Sequence, residues 1–183
     1  LTVDKTDETC QGNGTLTFSV SNTSANAQML YKIYKLPNTN SAMSIQTSAY
    51  IGGLTSGTYK VVAIQSLNSA SNTKEKQITI NKSIVPFNFN ITTQQTNCST
   101  GGSLVIAASS GTLTDCEIIS GPVSRPRQAS NVFPNLPTGT YKVRAYNECG
   151  IAKVKSYTLN VVNATLEIGA TEYISCLLYT SDA

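Results

Sequence analysis

The sequence predicts an all-β chain of two tandem antiparallel sandwiches, and three observations predict it. First, the stretch Gly53-Leu54-Thr55-Ser56-Gly57-Thr58-Tyr59-Lys60-Val61 returns as Asn135-Leu136-Pro137-Thr138-Gly139-Thr140-Tyr141-Lys142-Val143. Both copies fit Leu-x-x-Gly-Thr-Tyr-Lys-Val. Second, apolar and polar residues alternate with period two in one segment after another, and no segment keeps a helical period over three turns. Third, turn residues recur roughly every 8–12 positions, the spacing of a sandwich with about seven short strands per domain. The expected architecture is therefore immunoglobulin-like, with residues 1–83 as one repeat, 84–162 as a second and 163–183 as the start of a third.

The repeated stretch reads as a turn feeding a strand. Gly57 and Gly139 supply backbone freedom at the turn. After it, Tyr59, Val61 and Ala63 face one side and Lys60, Val62 and Ile64 the other. In the second copy Tyr141, Val143 and Ala145 face in, and Lys142, Arg144 and Tyr146 face out. A Gly-x-Tyr at the start of a late strand is how sandwiches build a tyrosine corner, so Tyr59 and Tyr141 are the expected corner residues. Their hydroxyls would bond to nearby backbone.

In chain order, Leu1 to Thr9 reads as a first strand and Cys10-Gln11-Gly12-Asn13-Gly14 as a turn. Leu16, Phe18 and Val20 mark the inner face of the second strand. A polar loop from Asn22 to Gln28 precedes a third strand carrying Met29, Tyr31 and Ile33. Pro37-Asn38-Thr39-Asn40 ends it, and Ser44 to Thr47 reads as a short edge strand. After the repeated stretch, Asn68 to Thr73 is expected as a hairpin loop and Gln77 to Asn81 as the last strand. Ile84-Val85-Pro86 is a short joint stiffened by its proline.

The pattern then restarts. Asn88 to Thr93 is a strand, and Cys98-Ser99-Thr100-Gly101-Gly102 matches the first Cys–Gly turn. Leu104, Ile106 and Ala108 repeat the inner face, Ser109 to Asp115 is a loop, and Cys116 to Ser120 is the third strand. Ser124 to Asn131 crosses over, and Val154 to Val161 comes last. Cys10 to Cys98 spans 88 residues and Gly57 to Gly139 spans 82. The second copy has lost six residues, expected in the crossover after its third strand. Leu166-Glu167-Ile168 resembles the opening strand of each repeat. The closing Cys176 to Ala183 reads as translated sequencing-adapter read-through, outside fold reasoning.

Composition excludes several functions. The 183 residues carry a net charge of only +3, with 13% charged residues, so nucleic acid is not an expected partner. No apolar run reaches membrane-spanning length. The chain starts at Leu1 without a signal peptide and reads as a fragment or mature segment. There is no His, so Ser–His or Cys–His catalysis cannot be built from this chain. No enzyme activity, cofactor or metal is expected. The acids Asp4, Asp7 and Glu8 cluster without a calcium-loop pattern. Asp115 and Glu117 share a strand face without a cleft, and read as solubilising charges rather than a glycosidase pair. Asn-x-Ser/Thr sequons begin at Asn13, Asn22, Asn81, Asn90, Asn97 and Asn163, a number that chance explains in so Asn- and Thr-rich a chain.

The series Ile118-Ile119-Ser120-Gly121-Pro122-Val123, Arg125-Pro126, Gln128, Ser130-Asn131-Val132-Phe133, Leu136 to Tyr141 and Cys149-Gly150 resembles repeats of large Bacteroidetes surface proteins. Those are gliding-motility adhesins and related substrates of type IX secretion. The resemblance covers nearly all of the second repeat. It is weaker in the first, where Leu67 stands for Cys149. It implies tandem immunoglobulin-like domains, export to the bacterial cell surface and adhesion, with neighbouring repeats and a surface glycan or protein as partners. It supplies no catalytic residues.

Five cysteines, Cys10, Cys98, Cys116, Cys149 and Cys176, lack Cys-x-x-Cys spacing. Zinc is not expected, and disulfides in an oxidising, extracellular compartment are. With Cys116 starting the third strand and Cys149 ending the sixth, a Cys116–Cys149 bond is the first expectation. Its loop would contribute roughly 3 kcal/mol. Cys98–Cys149, Cys10–Cys149 across the joint, and free buried thiols remain open at this point. Arg125-Pro126-Arg127 is the one compact basic loop. Arg125 and Arg127 are candidate contacts to an acidic glycan or carboxylate through the guanidinium fork, against the plainer reading of a solvated loop. Tyr31, Tyr34, Tyr50 and Tyr146 are candidate sugar-stacking rings, against the plainer reading of strand packing.

Overall fold

The structure is a computed structural model, and it describes residues 1–95 and 101–160. It divides into two units, Leu1–Val85 and Pro86 onward, two residues beyond the expected boundary and inside the expected joint. No helix occurs among the described residues. Each unit is a sandwich of one three-stranded and one four-stranded antiparallel sheet.

In the first unit, β1 (Thr2–Thr6), β2 (Gly14–Ser19) and β5 (Tyr50–Leu54) form the three-stranded sheet. The other sheet runs β4 (Ser44–Gln46), β3 (Gln28–Lys35), β6 (Gly57–Leu67), β7 (Ala70–Ile80). The second unit repeats this order. Its three-stranded sheet is β12 (Val132–Leu136), β9 (Gly102–Ser110), β8 (Asn88–Gln95). Its four-stranded sheet is β11 (Arg125–Gln128), β10 (Leu113–Ser120), β13 (Gly139–Asn147), β14 (Ala152–Leu159). In both units the short fourth strand pairs with the third, not with the fifth, which gives three plus four strands.

The alternation read from sequence places the cores. Leu16, Phe18, Ile33, Tyr59, Val61 and Ala63 are buried in the first unit, and Leu104, Ile106, Ile118, Tyr141, Val143 and Ala145 in the second. Ile33 lies opposite Val61, and Ile118 opposite Val143, so the two cores share one register. Ala108, expected inside, is exposed.

Several elements differ from expectation. β7 begins at Ala70, not near Gln77, and pairs with β6 along its whole length across a two-residue Asn68-Ser69 turn. Its Ala70–Gln77 half is exposed throughout, so no alternation marks it. β9 and β10 likewise run closer together, leaving Gly111 and Thr112 between them. The six missing residues are therefore split. The offset between equivalent positions is 88 at Leu16/Leu104, 85 at Ile33/Ile118 and 82 at Tyr59/Tyr141. Half the loss lies in the β2–β3 connection, where a polar loop has become a tight turn. The expected third copy, including Cys176, and the Cys98 turn lie outside the described residues, apart from Gly101 and Gly102.

Candidate functional site

The two corners are built alike. Tyr59 and Tyr141 are fully buried. Tyr59 Oη donates to the Thr55 carbonyl at 2.6 Å, and Tyr141 Oη to the Pro137 carbonyl at 2.6 Å. Each bond spans the turn that holds the repeated glycine, so the ring locks the turn to the sheet. Cross-strand threonine pairs, Thr58 with Thr79 and Thr140 with Thr158, stand beside the corners in both units.

The first unit adds a carboxylate clamp whose two carboxylates have no counterpart in the sequence of the second copy. Glu8 is buried, and accepts from the backbone N–H of Gly12 at 2.8 Å and of Ser56 at 2.7 Å. It ties the β1–β2 turn to the β5–β6 turn. Asp7 accepts from the Asn81 backbone at 2.9 Å and from the Asn81 amide at 3.2 Å, beside Lys5 at 2.5 Å. The Lys5 bond, then the Asn81 bonds, hold the Asp7 carboxyl down at about 2 against its ordinary 3.8. The Gly12 and Ser56 N–H groups hold Glu8 below its ordinary value. The equivalent residues in the second copy are Gln95 and Thr96.

Acid should therefore weaken the first unit selectively. Both carboxyls have folded values below their unfolded ones, so their stabilisation is complete above the ordinary carboxylate range. For Asp7 it is lost as pH falls from 3.8 to about 2. A urea titration followed by NMR peaks of each unit checks this. The first unit's midpoint should fall at acid pH more than the second's, and Asp7→Asn should remove part of that difference.

The expected Cys116–Cys149 bond is corrected. Cys116 is a free, buried thiol, whereas Cys149 is disulfide-bonded, as is Cys10. The reason is the strand start. β10 begins at Leu113, so Cys116 lies in mid-strand opposite Ala145. Cys149 is four residues further along, in the turn after β13. At about 3.4 Å per extended residue that is beyond the reach of a disulfide. Cys116 occupies the core position that Tyr31 fills in the first unit, and its Sγ donates to the Ser130 carbonyl at 3.3 Å. Burial, with the Asp115 charge second, pushes the thiol up to about 11. Iodoacetamide at mildly alkaline pH should leave Cys116 unmodified in the folded chain and label it after unfolding in urea, as read by peptide mass spectrometry.

The two arginines do not form one site. Arg125 lies opposite Ile118 and Gln128 opposite Cys116, with a register shift between them. That irregularity turns Arg127 away from the side of Arg125. Arg127 pairs with Asp115 at 2.7 Å and lies over the Tyr146 ring at 4.0 Å. The Asp115 bond holds its guanidinium still further into the charged form. Beside it, Glu117 accepts from Arg144 at 3.0 Å and from Tyr146 Oη at 2.7 Å. Asp115 and Glu117 are thus each matched to an arginine. Such exposed pairs contribute about 0–1 kcal/mol each. Arg127 thus spends one guanidinium nitrogen, Nη2, on Asp115, and its side chain stays half exposed.

Of the four candidate rings, three are occupied. Tyr31 is buried against Phe18, with ring centroids 5.0 Å apart. Tyr34 lies under Lys60 Nζ at 5.5 Å, and Tyr146 lies under Arg127. Tyr50 alone stands open, with 53% of its surface exposed. Among the described residues, no three His, Cys, Asp or Glu side chains converge as metal ligands, and no helix is long and apolar enough to cross a membrane. The chain matches no protein-family model and no curated protein at a significant level.

Proposed function

We propose that this chain is a structural and adhesive segment of a secreted or cell-surface bacterial repeat protein, of the gliding-associated adhesin type exported by type IX secretion. The observation that carries the reading is one frame used twice with different surfaces. The tyrosine corners and the central core pairing, Ile33 with Val61 and Ile118 with Val143, repeat. The outer face of the four-stranded sheet does not. In the second unit it holds the Asp115–Arg127 and Glu117–Arg144 ion pairs. In the first it carries Leu30, Tyr34, Val62 and Ile64, all half-buried. A frame kept while its faces diverge is what a repeat array uses to vary contacts at constant architecture. Many weak contacts then add through effective concentration.

The flanking coding sequence tests this. Further copies of Leu-x-x-Gly-Thr-Tyr are the expected result, and a catalytic domain beside these repeats would overturn it. A second reading, a carbohydrate-binding module, is favoured by the open ring of Tyr50.

A further inference from the structure

We infer that the outer face of the three-stranded sheet in the first unit is a binding platform for a neutral pyranose oligosaccharide. It is built from Tyr50 over Gly52, with Thr17 and Asp4 beside it.

Tyr50 and Gly52 are two apart on β5, so they share a face. A Cβ added at Gly52 would lie 2.8 Å from Tyr50 Oη and 3.4 Å from Cζ. The phenol end therefore lies over the Gly52 backbone, and a side chain there would push the ring end aside. Gly52 has no positive φ, unlike Gly53 at 75°. Its lack of a side chain serves the ring rather than the chain path. The ring is propped against the sheet and open to solvent on its other side. Cross-strand pairing places Thr17 opposite Tyr50, and Asp4 opposite Thr17. Both are exposed. The row runs aromatic ring, hydroxyl, carboxylate, over roughly 9–10 Å from two strand spacings.

The repeat shows what the fold itself requires at these positions. The equivalent row in the second unit is Val132, Val105 and Thr92, held in the same pairing. Pro134 stands where Gly52 does. The inward residues are kept as apolar core, with Leu16 as Leu104, Ile51 as Phe133 and Leu54 as Leu136. The brace beneath is also kept. Gln46 Nε2 donates to the carbonyls of Ser48 and Tyr50, and Gln128 Nε2 to those of Ser130 and Val132. The sandwich thus folds without the ring, the glycine or the acid. The ring and the acid lie on one exposed row of the first unit, with the glycine beside the ring on β5.

The chemistry of that row fits a sugar. The apolar C–H face of a pyranose stacks on an aromatic face. Its hydroxyls donate to the Asp4 carboxylate, and both donate to and accept from Thr17 Oγ1. An acidic sugar would meet the Asp4 charge, which selects neutral chains. The platform deepens the adhesive reading by naming a ligand class. If it fails, the tandem-repeat stalk stands. If a catalytic domain flanks these repeats, saccharide binding here still stands.

The test is a ¹⁵N-labelled full chain titrated with cellohexaose, xylohexaose, mannohexaose and chitohexaose. At least one should shift the amides of Thr17, Tyr50 and Gly52 while those of the second unit stay fixed. Tyr50→Ala should weaken that binding at least ~10-fold. Tyr50→Phe, which keeps the stacking face, should retain it within a few fold. Asp4→Asn should weaken it by less than Tyr50→Ala. Unshifted core peaks of the first unit, such as those of Leu16, Ile33 and Val61, confirm that each variant is folded. Absence of shifts at these amides with all four sugars, or binding by Tyr50→Ala equal to that of the parent, would overturn the proposal.

Discussion

Tyr59→Ala is expected to destabilise the first unit by about 3–5 kcal/mol, the range for removing a large buried aromatic. The ring is fully buried among Val61, Ile33 and their neighbours. Its hydroxyl also carries the 2.6 Å bond to the Thr55 carbonyl. Tyr59→Phe separates the two contributions. It keeps the packing and loses the hydroxyl bond, at about 1 kcal/mol, rising to about 3 if the carbonyl is left dry. Tyr141→Ala and Tyr141→Phe should reproduce both numbers in the second unit, because its corner has the same bond length and burial. Since whole domains are stable by only about 5–15 kcal/mol, either alanine variant brings its unit near unfolding. Peaks from the other unit's core should persist. Chemical denaturation with NMR peaks resolved for each unit measures all four.

Gly139→Ala carries the second large effect, with Gly57→Ala as its internal control. Both glycines sit at positive φ, 143° and 146°, so an added Cβ strains the backbone by about 1–3 kcal/mol at either site. The difference lies in the neighbour. At Gly57 the nearest atom is Lys35 Cε at 3.0 Å, the far end of a side chain that can move aside. At Gly139 it is Pro122 Cγ at 2.5 Å, part of a ring that cannot rotate away. Overpacking of that kind adds about 1–3 kcal/mol. Gly139→Ala should therefore cost clearly more than Gly57→Ala, in urea midpoints resolved for each unit. Equal losses would mean that strain alone matters and that Pro122 yields.

The core was legible in the sequence because one face of each strand is dry. Leu16 with Phe18, and Leu104 with Ile106, announce a buried face by alternation alone, and Gly-Thr-Tyr announces the corner that closes it. What was hidden has a physical pattern. The first half of β7 is wet on both faces, so its side chains keep no period, and only its backbone pairing to β6 makes it a strand. β10 starts at Leu113 and not at Cys116. That three-residue difference moves Cys116 from a strand end into the core and removes it from disulfide reach. The pairing of Arg127 with Asp115 depends on a bulge, and a bulge is a register shift that composition does not record. Tyr50 was visible as a candidate ring. Its support on Gly52 was legible only once both were known to share one strand, and β5 itself was not foreseen.

The account rests on two separate cores of one design. Side-chain NOEs in the full chain measure this most directly. The account predicts that Tyr59 ring protons contact Ile33 and Val61, that Tyr141 ring protons contact Ile118 and Val143, and that neither core's aromatic rings contact the other core's aliphatic residues. NOEs from Phe89 to Ile33, or from Phe18 to Ile118, would show one merged core and contradict it.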